Sequence, residues 1–358
     1  MFRPRRLFST FSIKEIMVLL VLATSMSWPA LAQDMPKELI IGYQAVPNPE
    51  TIVKDLGWHE KEIGIPIKWM PFDSGKHVVK AFAAGSIDIG LVGTSPCAAG
   101  IANGVPMEVI YIHDIIGDAE SLVVKKSSAI GQIEDLAGKT VATPFGSTTH
   151  YHLILALNLY RVKPDELDII DLEPGEMLEA WQKGHLDGAF VWEPTLSKLI
   201  QKDGQIILFS RQLAERGFPT ADLCVVRPEF ATRYPAVVVK YLKNLDRAVR
   251  LYRSEPEKAA SAVARQLGIS AEQASTQMKG LIFLTGEEQL SGKYVGNMDL
   301  TFGLYTLLKD TADFLERVNE IETSPPWPIF MRAVTASFVK ETIPAKKATI
   351  VGPRPVTE

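Results

Sequence analysis

The sequence predicts an α/β protein of two lobes, each a mostly parallel sheet flanked by helices. Three observations carry this reading. Short β-rich runs alternate with segments of helical period from Glu38 to Arg227. A stretch of that region recurs 99 positions further on. The chain of 358 residues is also longer than a single hydrophobic core ordinarily serves.

Strands are expected at 38–44, 86–92, 107–113, 121–125, 139–143, 168–173, 187–192, 205–210 and 222–227. Each is a short apolar or β-branched run bounded by turn residues. Helices are expected between them at 49–63, 76–84, 96–103, 149–161, 176–183 and 194–202, where apolar residues recur at helical spacing. Beyond Pro228 the strand pattern stops, and helices are expected at 228–233, 235–253, 255–266, 271–281 and 298–318. The proline-rich tail after Ser324 is expected to wrap or fray.

The recurrence links residues 81–96 (AFAAGSIDIGLVGTSP) to residues 180–194 (AWQKGHLDGAFVWEP). It aligns Ala81 with Ala180, Gly85 with Gly184, Asp88 with Asp187 and Val92 with Val191. In both copies a helix ends at a glycine, a short buried strand follows, and a proline then opens the next helix, where its missing N–H costs nothing. Two lobes of like construction would each present strand ends and helix N-termini to a shared cleft, where open α/β sheets bind ligands. The chain is expected to cross between lobes near Lys125 and again near Arg227, giving a hinge suited to closure. The lobes then divide as 33–125 and 223–324 for the first and 126–222 for the second, with 325–358 as the tail.

Length must be counted without the N-terminus. Arg3, Arg5, Arg6 and Lys14 precede the apolar run 16–23, and Ala30-Leu31-Ala32 offers small residues at a cleavage position. This is the pattern of a secretory signal peptide over residues 1–32, and its apolar core falls short of the ~20 residues a membrane span needs. Removing it makes the chain more negative than the −4 of the whole sequence, which argues against nucleic acid as a partner. With 46% apolar residues the protein can bury a large core. Two cysteines, Cys97 and Cys224, make no disulfide scaffold and are expected as free buried thiols.

Three groups of residues could carry chemistry. Thr94 and Ser95, between Gly93 and Pro96, either cap a helix or offer its free N–H groups to an anion. Ser147, Thr148, Thr149 and His150 follow Pro144-Phe145-Gly146 at a strand-to-helix turn. Their hydroxyls are neutral donors that suit a sulfonate or phosphate, although capping would use the same residues, and the spacing is not that of a P-loop. Glu120, Glu193 and Asp222 stand at strand ends expected to border the cleft and suit a cationic group. Trp192 either walls the pocket or completes the core. Gln44 ends the first strand, and Asp73 and Ser74 stand before a helix. The six histidines are scattered and no nucleophile elbow occurs, so no catalytic set, metal or cofactor is expected.

Several of these segments, in this order, resemble the taurine-binding proteins of bacterial ABC importers, within the aliphatic sulfonate, nitrate and taurine substrate-binding family. The resemblance runs from Ile40 to Phe314. It is carried by Phe72-Asp73-Ser74-Gly75, by 147–151 (STTHY), by Ala180-Trp181-Gln182 with Asp187-Gly188-Ala189, by Val191-Trp192 and by the approach to Asp222. It implies a type II periplasmic binding protein (Venus-flytrap) fold and a monomer that delivers taurine to a membrane permease powered by an ATPase. It further implies that Asp222 holds the amine and that Ser95 and the 147–149 hydroxyls serve the sulfonate. Gln44, Asp73, Glu120 and Trp192 are then lining residues. Glu193 departs from the alanine expected after the tryptophan. Two other readings stay open: another alkanesulfonate or small zwitterion as ligand, and a cytosolic thiamin-pyrimidine-synthase-like enzyme of similar fold, which the signal peptide tells against. The exported protein is expected to begin at about Gln33 in the periplasm. Intact mass measurement should find residues 1–32 missing, and an uncleaved chain in the membrane fraction would contradict the reading.

Overall fold

A computed structural model describes residues 35–292, 294–295 and 303–343; the expected signal peptide and the end of the tail lie outside them. Eleven strands among the described residues form two sheets. The first sheet takes β1 (Leu39–Tyr43), β2 (Ile67–Pro71), β3 (Ile89–Gly93), β4 (Glu108–Ile116), β10 (Ala221–Val226) and β11 (Leu281–Ile282), in the order β11-β4-β10-β3-β1-β2. The second takes β5 (Glu120–Lys125), β6 (Thr140–Thr143), β7 (Asp168–Asp171), β8 (Gly188–Trp192) and β9 (Gly204–Phe209), in the order β7-β6-β8-β5-β9. The α/β class holds, and all nine expected strands are present. The sheets are mixed, not mostly parallel. β10 runs antiparallel to both β3 and β4, and β5 runs antiparallel to both β8 and β9. Each of these strands is the one by which the chain has just arrived from the other sheet. It enters from the cleft side, where its neighbours end, and so it runs the other way.

The crossings are also relocated. β5 belongs to the second sheet and β10 to the first, so the chain changes sheets at 117–119 and between Phe209 and Ala221, not near Lys125 and Arg227. The first crossing turns tightly because the N–H groups of Gly117 and Ala119 both donate to the Gly280 carbonyl, at 3.0 and 3.2 Å. A Cβ at Gly117 would stand 2.8 Å from that oxygen, and one at Gly280 would stand 2.6 Å from the Ala119 nitrogen. The two crossings are tied together where the Ile116 N–H donates to the Thr220 carbonyl at 2.9 Å.

The internal recurrence is structural. Helices α3 (Gly75–Ala83) and α6 (Pro174–Gln182) lead into β3 and β8 at the same offset. Gly85 and Gly184 both adopt left-handed backbone, with φ of 64° and 78°. Asp88 accepts the Ile40 N–H at 2.9 Å, and Asp187 accepts the Thr140 N–H at 3.0 Å. In each lobe this acid ties the start of one strand to its neighbour.

Other differences are local. The stretch 49–63 forms two helices, α1 (Pro49–Leu56) and α2 (Trp58–Ile63), broken where Gly57 turns left-handed at φ 61°. β2 escapes the strand pattern because it is a half-exposed edge strand ending in proline. The expected helix 271–281 stops at Met278, and its last residue, Leu281, opens β11 (Leu281–Ile282), paired to β4. The described part of the tail wraps on the first sheet, with Val109 bonded to Ala333 and Thr335. Cys97 and Cys224 are free and buried, and burial pushes the Cys97 thiol up to about 12.

One face of the second sheet is covered by a separate apolar cluster around Trp181, Met177 and Leu199. On the opposite side, helix α5 (Thr148–Leu159) carries the core across to the first lobe, where Tyr151 meets Phe314 edge to face at 5.0 Å. Among the described residues no helix is long and apolar enough to cross a membrane. The Gly117–Gly280 contact gives a sharp test of the crossing. Gly280→Ala should destabilise the protein by about 1–3 kcal/mol, since backbone, not a flexible side chain, must give way. Denaturant titration of the variant checks this, and an unchanged midpoint would show that the crossing adapts freely.

Candidate functional site

Three helices begin at one cleft between the sheets. The chain leaves β3 at Gly93 and at once enters α4 (Thr94–Ala102), leaves β6 and enters α5 at Thr148, and enters α3 at Gly75. Gly75, Gly93, Pro96, Ser147 and Thr148 therefore line the cleft together. Each helix start carries N–H groups without intrahelical partners and the positive end of a dipole. The approach is close: a Cβ on Gly93 would stand 2.8 Å from Thr148 Cγ2, and one on Gly75 would stand 2.6 Å from Pro96 Cγ. Glycine is what lets the backbone of the first lobe reach the second. The cavity left in the cleft is about 30 Å³, well below the ~300–1,000 Å³ of small-molecule sites, so the cleft is nearly closed in this structure.

Facing these helix starts are carboxylates. Asp222 opens β10 and Glu120 opens β5, the two reversed strands, which is why the beginnings of these strands border the cleft. Burial lifts the Glu120 carboxyl to about 8, against hydrogen bonds from Thr148 and Ser210 that lower it. Thr148 Oγ1 donates to Glu120 Oε1 at 2.5 Å and Ser210 Oγ donates to Oε2 at 3.4 Å. Burial likewise raises Asp222 to about 7. Among the described residues no lysine, arginine or histidine side chain lines the cleft. A site with oriented N–H groups at one part and desolvated carboxylates at another can hold a small zwitterion without burying an unpaired charge.

Seven of the residues expected from sequence line this cleft: Gln44, Glu120, Ser147, Thr148, Trp192, Glu193 and Asp222. Trp192 thus forms wall, opposite Glu120 in the β5–β8 ladder. Thr94 and Ser95 lie next to lining residues. They are fully buried, and their hydroxyl oxygens have no hydrogen-bond partner among the described residues. The hydroxyl run 147–149 divides. Ser147 caps α5, donating to the Pro144 carbonyl at 2.6 Å and accepting the His150 N–H at 3.1 Å. The Thr149 hydroxyl is engaged by Thr143 at 2.9 Å. The capping alternative therefore describes Ser147, Thr149 is held by neighbouring hydroxyls, and what this turn offers a ligand is backbone more than hydroxyl. His150 does not line the cleft. Its ring stacks on Phe145 at 4.6 Å, and its Nδ1 accepts the Gly146 N–H.

Ser74 caps no N–H with its side chain; its Oγ donates instead to Glu173 Oε1 at 3.2 Å. Glu173 is the residue equivalent to Ser74 in the internal recurrence, so the two related helix starts touch. Lys76 adds bridges to Asp171 and Glu173, each at 3.0 Å. Asp73 is exposed and faces a separate shallow depression with Met70, His77 and Lys80. Glu193 lines the cleft but turns into its own helix, α7 (Thr195–Gln201), accepting the Ser197 N–H at 3.0 Å and its hydroxyl at 2.7 Å. Its departure from alanine is answered locally, by a cap.

Sequence reasoning missed Asp114, which is fully buried and paired with Asp222 across β4 and β10. The signal was a charged residue inside the apolar run 109–116 (VIYIHDII), where a strand in a sheet core has no solvent to offer it. The apolar walls Val46, Ile116 and Leu281 carried no such signal.

The profile of the NMT1-like family matches residues 33–268. The taurine-binding periplasmic protein of Escherichia coli strain K12 is 36% identical over 287 residues, covering 78% of this chain and 87% of that one. Among solved structures, the periplasmic aliphatic sulphonate binding protein SsuA of Escherichia coli superposes with a TM-score of 0.65 at 22% identity, over 83% of this chain and 92% of that chain. The alkanesulfonate-binding protein SsuA of Xanthomonas axonopodis pv. citri, bound to MOPS, gives 0.69 at 20% identity, over 84% and 99%. These two likenesses establish the fold, that of the periplasmic binding proteins. The chain belongs to the NMT1-like family, as a homologue of the periplasmic taurine-binding protein.

Proposed function

We propose that this protein captures taurine, or a small alkanesulfonate close to it, in the periplasm and delivers it as a monomer to an ABC permease driven by its ATPase. The observation that carries the reading is the pairing of three helix N-termini with the half-buried Asp222 carboxylate in one cleft. A sulfonate is permanently anionic and suits oriented N–H groups. An ammonium two carbons away suits a desolvated carboxylate. The names of the relatives support capture of a sulfonate over catalysis, and they support a periplasmic location.

Asp222 acts here as selector as well as anchor. A sulfonate without an amine leaves the carboxylate unpaired and meets its repulsion. Asp222→Asn keeps the shape and removes the counter-charge. Loss of a charge-assisted hydrogen bond costs roughly 1.5–3 kcal/mol, so taurine affinity should fall at least about tenfold. An amine-free sulfonate of similar size should lose nothing. Calorimetric titration of both proteins with both ligands, beside a panel of amino acids, reads this directly. Equal weakening of the two ligands would mean that Asp222 supports the fold and not the amine.

A further inference from the structure

Asp222 does not stand alone. In the antiparallel ladder between β4 and β10, Asp222 lies directly opposite Asp114. The register shifts at this point: Leu223 pairs with Ile112, so a regular ladder would set His113 against Asp222. One extra residue in β4 advances the strand and brings the second acid into place. Bulges of this kind re-aim side chains beside functional sites. Residues directly opposite in an antiparallel pair project to the same face with Cβ atoms about 4.5–5.5 Å apart. Asp114 is fully buried, and neither of its oxygens has a hydrogen-bond partner among the described residues. Two desolvated carboxylates so placed cannot both be charged at modest cost.

We propose that Asp114 and Asp222 form one proton-sharing pair, and that the ligand's ammonium enters by displacing the shared proton, so that capture releases a proton and weakens as pH falls. The proposal rests on the reading of Asp222 as the amine carboxylate. In the free protein the pair holds the proton between them, which substitutes for a cation. The arriving ammonium keeps its own protons and donates N–H bonds to the carboxylate oxygens, and the displaced proton passes to the solvent. The pair then excludes amine-free anions when deprotonated and admits them when protonated.

The surrounding groups are consistent with this assignment. Burial first, and then the charges of Asp222 and Glu120, raise Asp114 well above the ordinary carboxylate range against the lowering effect of the nearby Asn48 side chain, and burial raises Asp222 to about 7. On β4 the neighbouring His113 is pushed by burial down to about 3, and on α5 His150 is lowered to about 4, so neither carries charge at the pH of interest. Cys224 on β10 and Cys97 on α4 are both raised by burial. From α1, Glu50 is raised to about 8 by burial while bonded to Tyr241, with Lys54 beyond it. Glu120 from β5 and Glu193 ahead of α7 are also raised, and each has donors on both oxygens.

The test is taurine calorimetry from pH 5.5 to 7.5 in pairs of buffers of unlike ionisation enthalpy. The sign follows from the raised carboxyls. Above the pair's titration the proton is already gone and affinity is flat; below it, binding must expel a proton, and affinity should fall by up to about tenfold per pH unit. The apparent enthalpy should differ between buffers by an amount that corresponds to release of about one proton. Ethanesulfonate, which has no amine, should show the reverse and tighten as pH falls. Asp114→Asn should release fewer protons and flatten the taurine profile. The wild-type buffer comparison decides the matter even where that variant fails to fold. Taurine binding with equal enthalpy in both buffers at every pH overturns the proton pair and leaves the amine reading intact. Full proton release by folded Asp114→Asn assigns the proton to another acid and overturns it as well. No binding of taurine at any pH removes both readings together.

Discussion

A fully buried carboxylate paired with a half-buried one, with no cationic side chain among the described residues that line the cleft, is the constraint around which the binding region is organised. Such a pair is tolerated only if protons or a ligand supply positive charge. Everything near it follows from that need. Helix starts, and not lysines or arginines, face the pair, so an anionic group can be received without a formal cation that would neutralise the acids permanently. The hydroxyls of Thr148 and Ser210 are turned onto Glu120, the third acid, and partly compensate its loss of water.

The fold delivers this arrangement through two strands that run against their neighbours. A parallel strand of an α/β sheet brings its carboxyl end to the cleft. A strand that arrives from the other lobe brings its beginning, and so Glu120 and Asp222 reach the cleft as first or second residues of β5 and β10. The crossing that makes this possible is held by one carbonyl, that of Gly280, between backbone groups too close for any side chain. The recurrence of helix, glycine and strand in both lobes supplies the opposite wall. Its two equivalent helix starts meet at Ser74 and Glu173, so the internal symmetry of the sequence becomes a contact across the lip of the cleft.

Much of this was legible in the sequence because it depends on local pattern. Gly85 and Gly184 announce left-handed turns, Pro96 announces a helix start, and nine apolar runs announce strands. Asp222 and Glu120 stood out as acids at strand ends. What escaped depends on pairing at long range. Nothing local says that β5 runs antiparallel to its neighbours, and so the crossings were displaced and the sheets read as mostly parallel. The hydroxyls of Ser147 and Thr149 looked like ligand donors, but their partners Pro144 and Thr143 are visible only once the turn is closed. Asp114 is the clearest loss: its importance lies in a register shift between β4 and β10, which no spacing along one strand can reveal.

The orientation of the ligand tests the account most directly. A crystal structure of the protein with taurine should place the nitrogen within hydrogen-bonding distance of Asp222, on the side of Asp114. The sulfonate oxygens should then lie against the backbone N–H groups at the starts of α3, α4 and α5. A complex with the sulfonate turned toward Asp222 and the amine toward the helix starts would contradict it.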